Sequence, residues 1–404
     1  MNPPPRVLLF TNEPPHTAAA GAILFHRLFA DYPPDRLLVV SNERIPAGAG
    51  RLACRYEYLP LAADRLKRTR LWPWRPVWRA LGGAAFVRLG RVHAALRGFE
   101  PDVVVTLMQD SWYYDLAARF ARSARLPVVL FVHDVASIFE PVGNWLEPRQ
   151  RARDAAVYRQ AAVRICVSEA QAGWLRDRLG AAAEVIVPPR SPAPVSQPPE
   201  RCGALKSPDR LTLGYAGGLH YGYGEQLLAM APELRRSGVR VHVAGPRPAG
   251  TVAALAEITD VFTFHGYVSP PERAWALLLN TCDAVLQPYR NPPGAHALQY
   301  RTHFPSKLGD MLSLGLPVFL TGPEDAAGIA WCRAHPGCAL TVTEPGDATL
   351  RGALRRLRDE PAVRVALARA ARAVAPAFDP GALRAALRGH LARAVRPDRP
   401  TPST

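Results

Sequence analysis

The feature that most constrains this chain is a repeated alternation. Short runs of Val, Ile and Leu are separated by stretches in which apolar residues recur every three to four positions. In the first half the runs are 6–11, 36–41, 102–107, 127–132, 163–168 and 183–188, with helical periodicity at 21–32 and 113–124. In the second half they are 211–216, 240–245, 261–266, 283–288 and 316–321, with helices expected near 224–236, 270–279 and 306–314. Continuous apolar runs between amphipathic helices predict parallel sheets covered on both faces. A Pro/Ser-rich stretch, 188–210, interrupts the pattern and reads as a stiff connection. The expected architecture is α/β: two Rossmann-like doubly wound domains facing a cleft, with a helical C-terminal segment. The expected boundaries are 1–190, a linker at 191–210, a second domain at 211–375, and a last helix and tail at 376–404 that cross back to the first domain.

Composition narrows the classes. The 404 residues carry a formal charge of +16, yet only Lys67, Lys206 and Lys307 among the 50 basic residues are lysines. With 41 prolines, this reads as a compositional bias toward arginine, so the charge alone does not imply a nucleic-acid partner. The start has no charged segment followed by a long apolar core, and no run approaches a membrane span. A cytoplasmic location is expected. The six cysteines lack metal-ligand or CxxC spacing, and no acidic or histidine cluster implies a metal or another cofactor.

The segment richest in chemistry is THFPSKLGDMLSLGLPVFLTGP (302–323), read as a loop, a helix opening near Ser306, a Gly-Leu-Pro stop and a buried strand. A helix start offers free N–H groups to a phosphate. Lys307 is unfavourable beside that positive end unless an anion is present. Asp310, one turn on, could take two hydrogen bonds from a ribose diol. A solvated helix start with a Lys–Asp pair explains the same residues.

The run PSKLGDMLSLGLPV resembles the donor-site segment of GT-B glycosyltransferases, especially the retaining family 4 group. Four further stretches resemble that family in the same order: ICVSEAQAGWL (165–175), LGYAGGLHYGYGEQLL (213–228), VHVAGPRP (241–248) and FHGYVSPPERAWALLLNTCDAVLQPY (264–289). The resemblance implies a metal-independent transferase moving a sugar from a nucleotide diphosphate-sugar to a hydroxyl on a glycan, a lipid-linked sugar or a small molecule. It implies that Gly217 and Gly218 face the diphosphate, where glycine lets the main chain approach. Tyr267 and Val268 would frame the base, Ser306 and Lys307 would hold phosphates, and Asp310 would take the ribose. Gly21 matches the glycine-rich loop before the first helix, and His133 a strand-end histidine facing the reacting sugar. A histidine bonded to its neighbour Asp134 is the bland alternative there. Asp110, Asp115 and Asp134 read as acceptor ligands or, more simply, helix caps.

The sequence also departs from that pattern. Gly218 stands where the family has Arg, Tyr223 where it has Lys, and Thr302 where it has a first acid. Cations usually stabilise the leaving group, so Lys307, joined by His220, Arg247, Arg290 or Arg301, has to supply that charge. A nucleotide-sugar-binding subunit without turnover and an epimerase of the same fold are the alternatives this leaves.

From Arg65 to Arg97 there are nine basic residues and no acid, interleaved with Trp72, Trp74 and Trp78. Arg with Trp suits an anionic membrane surface, and the expectation is peripheral docking on the inner face of the membrane. Core tryptophans under a solvated arginine face explain the stretch equally well. Single-stranded nucleic acid is the least favoured partner, and none is expected.

Overall fold

The apolar runs become strands whose successive side chains enter different cores. A computed structural model describes residues 3–18, 20–60, 89–108, 113–134, 147–344 and 346–395. The tryptophans 72, 74 and 78 and most of the Arg65–Arg97 stretch lie outside these residues, as do Asp110 and the tail after 395. The chain divides into two units, Met1–Val187 with Gly381–Thr404, and Pro188–Pro380.

The first unit holds β1 (Val7–Thr11), β2 (Leu37–Ser41), β3 (Arg55–Tyr58), β4 (Val103–Met108), β5 (Val128–Val132), β6 (Val163–Cys166) and β7 (Glu184–Val185). They form one seven-stranded parallel sheet in the order β3-β2-β1-β4-β5-β6-β7. Val7 and Leu9 of β1 enter one apolar cluster, with Phe25, Phe29 and Val105. Leu8 and Phe10 enter another, with Tyr113 and Phe120. The first cluster also contains Leu387, Leu391 and Ala394 of the last helix, Pro380–Val395. That helix is tied down by Arg384 Nε donating to the Arg27 carbonyl at 2.7 Å and by Arg393 pairing with Glu184 at 2.9 Å.

The second unit holds β8 (Thr212–Ala216), β9 (Arg240–Ala244), β10 (Phe262–Phe264), β11 (Ala284–Pro288), β12 (Val318–Thr321) and β13 (Leu340–Val342). Their order is β10-β9-β8-β11-β12-β13, again parallel throughout. The Pro-rich stretch differs from a free connection, because it is bound into this unit along its length. Gln197 N donates to the Leu314 carbonyl at 2.9 Å, and a 3-10 turn spans Pro199–Gly203. Lys206 N donates to Asp283 Oδ1 at 2.6 Å, and Thr212 N to Asp283 Oδ2 at 2.7 Å. Arg364, 2% exposed, closes the same region by donating to the carbonyls of Cys202, Gly203, Leu357 and Arg358. No described helix is long and apolar enough to cross a membrane.

Candidate functional site

Both sheets reverse direction of growth once, between β1 and β4 and between β8 and β11. In open parallel sheets, ligands bind beyond the carboxyl ends of the strands at such a point. The candidate sites are therefore the loops after β8 and β11 in the second unit and after β1 in the first.

After β8 the chain turns sharply at Gly217, with φ 133° and its N–H donating to the Ala244 carbonyl at 3.0 Å. Gly245 passes so close that a Cβ there would overlap the Gly217 carbonyl oxygen. The Tyr215 hydroxyl donates to the Gly218 carbonyl, fixing the loop from below. Lys307 reaches this loop from the turn after residue 302. Its Nζ donates to the Ala216 carbonyl at 2.8 Å and lies 3.1 Å from where a Gly217 Cβ would stand. It sits 3.9 Å above the Tyr215 ring and 5.4 Å from that of Tyr223. Burial pushes this ammonium down to about 7, and no carboxylate among the described residues counters the shift. A desolvated cation beside an open glycine turn is an arrangement suited to an anion.

The Gly218 and Tyr223 positions are explained by their neighbours. A Cβ on Gly218 would overlap the His220 imidazole, which occupies that side of the loop. His220 titrates below its usual range through burial and then the Lys307 charge, which puts the two groups in one field. Tyr223 is buried, stacked on Tyr300 at 6.3 Å and edge-on to Tyr289 at 5.9 Å. The surroundings of Lys307 are thus aromatic. Of the other cations considered, Arg290 pairs with Glu225 at 2.5 Å and Arg301 with Asp325 at 2.8 Å. Arg247 is exposed. His220 feels the charge of Lys307.

The remaining second-unit residues fall as follows. The helix of the 302–323 segment starts at Leu308 and ends at Ser313, later than expected, because Leu308 N closes a turn onto the Pro305 carbonyl at 3.0 Å. Ser306 and Lys307 lie in that turn, and Ser306 is half-buried. Asp310 is 4% exposed, and its Oδ1 accepts from Ser191 N at 2.5 Å, so it anchors the Pro-rich stretch. Thr302 is buried, its hydroxyl donating to the Leu298 carbonyl at 2.8 Å within its own helix. Tyr267 is 66% exposed just after the left-handed Gly266 (φ 75°), with Val268 beside it beyond β10. One residue was not foreseen. Gln287, fully buried on β11 at the reversal point, has neither amide atom hydrogen-bonded among the described residues. Its polarity inside an apolar strand run is the signal that marks it in the sequence.

In the first unit, Gly21 lies in the first turn of helix Ala20–Phe29, and its Cβ position is 3.0 Å from Glu13 Oε2. The glycine thus admits a carboxylate to the helix start. His16, 1% exposed, accepts from Ala18 N at Nδ1 (3.0 Å), and its Nε2 faces Glu13 Oε1 at 3.4 Å. Burial, then the charge of Glu43, raises the Glu13 carboxyl. Asn12 and Asn42 extend the network to Glu43. These residues carry no motif and follow only from their place beyond β1 and β2. His133, half-buried at the end of β5, is held through its carbonyl by Gln171 Nε2 at 3.4 Å. Asp115 is buried in the first turn of helix Tyr113–Ala124, and Asp134 is half-buried.

Residues 51–190 match the model of the glycosyl transferase 4-like domain. No curated protein sequence matches the chain. Among solved structures, Anabaena HepE in complex with UDP and glucose is similar at 15% identity and a TM-score of 0.65, over 96% of this chain and 99% of that one. Sucrose-phosphate synthase from Thermosynechococcus elongatus is similar at 15% identity and a TM-score of 0.65, over 98% and 100%. WaaG, a glycosyltransferase involved in lipopolysaccharide biosynthesis, is similar at 16% and 0.60, over 95% and 98%. At such identities the likeness establishes the fold. The chain has the GT-B fold of two Rossmann-like domains and, over residues 51–190, carries the sequence pattern of the glycosyl transferase 4-like domain.

Proposed function

We propose that the chain is a glycosyltransferase that moves a sugar from a nucleotide diphosphate-sugar to a hydroxyl acceptor, with retention at the anomeric carbon and without a metal. The observation that carries this reading is Lys307, a half-buried lysine whose ammonium has no carboxylate partner among the described residues, held at the glycine turn where the second sheet reverses. The matched glycosyl transferase 4-like domain and the UDP of the HepE complex support it.

As the bond from the sugar to the diphosphate breaks, negative charge grows on the leaving phosphate. Lys307 and the main-chain N–H of Gly218 neutralise it in place, without reorganisation, the Gly217 N–H being already bonded to the Ala244 carbonyl. The departing phosphate takes the acceptor proton, and the acceptor oxygen attacks from the face it left. Asp310 holds the ribose by exchanging its bond to Ser191, and Tyr267 and Val268 frame the base. A lipid-linked acceptor, with the Arg65–Arg97 stretch on an anionic membrane surface, belongs to the same proposal. Liposome flotation of wild type against the Trp72/Trp74/Trp78→Ala variant checks that part.

The test is diphosphate release from UDP-, GDP-, ADP- and TDP-sugars, with and without a lipid and glycan extract. Acceptor-dependent release supports transfer, and product NMR reads the configuration. The aromatic surroundings at Tyr223 and the missing cation at Gly218 favour one second reading, a nucleotide-sugar-binding subunit. It predicts tight binding with no release under any condition.

A further inference from the structure

The glycine turn ends in a residue whose backbone and side chain are at odds. Tyr221 has φ 57°, in the left-handed region that a Cβ disfavours. Arg97 and Arg125 share a positive φ, but each directly follows a helix, where a left-handed stop is common. Tyr221 instead precedes one, Tyr223–Arg236. Its conformation is imposed from outside. The Tyr300 hydroxyl donates to the Tyr221 carbonyl at 2.6 Å and accepts from Arg290 N at 3.2 Å. Gly222 continues the left-handed turn at φ 80°, and a Cβ there would overlap that hydroxyl.

The result is a large ring held outward. Tyr221 is 46% exposed, edge-on to His220 at 4.4 Å and to His296 at 6.4 Å between ring centres. His220 in turn packs on Gly218 and stands in the field of Lys307. A half-exposed wall of rings therefore adjoins the cation that would hold a diphosphate. Glycine would suit this backbone better, and strained residues of this kind gather at ligand-binding sites.

We propose that Tyr221, backed by His220 and His296, is the platform on which the sugar of a nucleotide diphosphate-sugar stacks. This rests on the donor-site reading above. A pyranose presents C–H groups on its faces, which match an aromatic π-face and bury apolar area against it. A diphosphate held at Lys307 carries its sugar one bond beyond the second phosphate, on the side opposite the nucleoside. The ring would touch the sugar and leave base and phosphates alone.

The test compares each nucleotide with its sugar form: UDP with UDP-glucose, GDP with GDP-mannose, ADP with ADP-glucose and TDP with TDP-glucose. Affinities are measured by titration calorimetry for wild type, Tyr221→Phe, Tyr221→Ala and Tyr221→Gly, with a melting temperature for each. For the pair that wild type binds, Ala and Gly should weaken the sugar form about five- to tenfold and leave the bare nucleotide within about twofold. Phe should stay within about twofold for both. Tyr221→Gly should keep or raise the melting temperature while losing sugar affinity, an outcome a purely structural role would not give. Equal effects on both members of the pair overturn the platform and leave the donor site standing. Failure of wild type to bind any pair overturns the donor site and the platform together.

Discussion

At the scale of single residues, Lys307 sets the pH behaviour of the site. Its ammonium titrates near 7 because burial disfavours the charge. A bound diphosphate favours the charged form and raises that value, so binding takes up a proton above pH 7. The lysine's contribution to affinity is therefore full below about pH 7 and declines as pH rises, by up to about tenfold per unit. The ratio of wild-type to Lys307→Met affinity, measured from pH 6 to 9, should fall with this slope and isolates the lysine from the phosphate's own titration. A flat ratio contradicts the assignment. The lysine was readable in the sequence because a cation in that turn has few reasons to be there. The roles of Gly218 and Tyr223 were not readable, because the ring packing that explains them, His220 against Gly218 and Tyr289 and Tyr300 against Tyr223, is set by the fold and not by spacing along the chain. Glu13 and His16 were missed for the same reason.

At the scale of elements, the strands with continuous apolar runs were placed within a few residues. β3 and β13 escaped because each is a short edge strand, half-buried over most of its length, so neither shows a clean period. The helix after Lys307 starts late because a turn on Pro305 replaces its first residues. The Pro-rich stretch reads in the sequence as a stiff connection, and its composition could not reveal the 3-10 turn Pro199–Gly203 or the anchors that bind it. Asp283 is one of these, 4% exposed and accepting from two main-chain N–H groups. Asp283→Ala leaves both donors without a partner, and we expect a loss of about 2–4 kcal/mol in chemical unfolding. Gly245→Ala should displace the Gly217 turn through its overlapping Cβ and weaken nucleotide binding more than it lowers stability. A variant with unchanged affinity would mean that the turn is not part of the site.

At the scale of the whole chain, the arginine surplus proves to be partly structural. Arg364 closes four carbonyls, and Arg384, Arg388 and Arg393 tie the last helix to the Arg27 carbonyl, Asp31 and Glu184. That helix completes the first unit's core, so Leu391→Ala, at a fully buried position, should cost about 2–5 kcal/mol. Hydrogen exchange should show the loss in residues 7–186 and not in 212–375. Two doubly wound sheets follow from the double alternation of apolar runs and amphipathic helices. What the alternation cannot give is which strand ends meet at each reversal, since that depends on strand order. The most direct test of the account is calorimetric titration of wild type and Lys307→Ala with UDP, GDP, ADP and TDP. The account predicts that wild type binds at least one of them and that the substitution weakens it by about tenfold or more. Binding that is indifferent to Lys307, or no binding of any of the four, would contradict it.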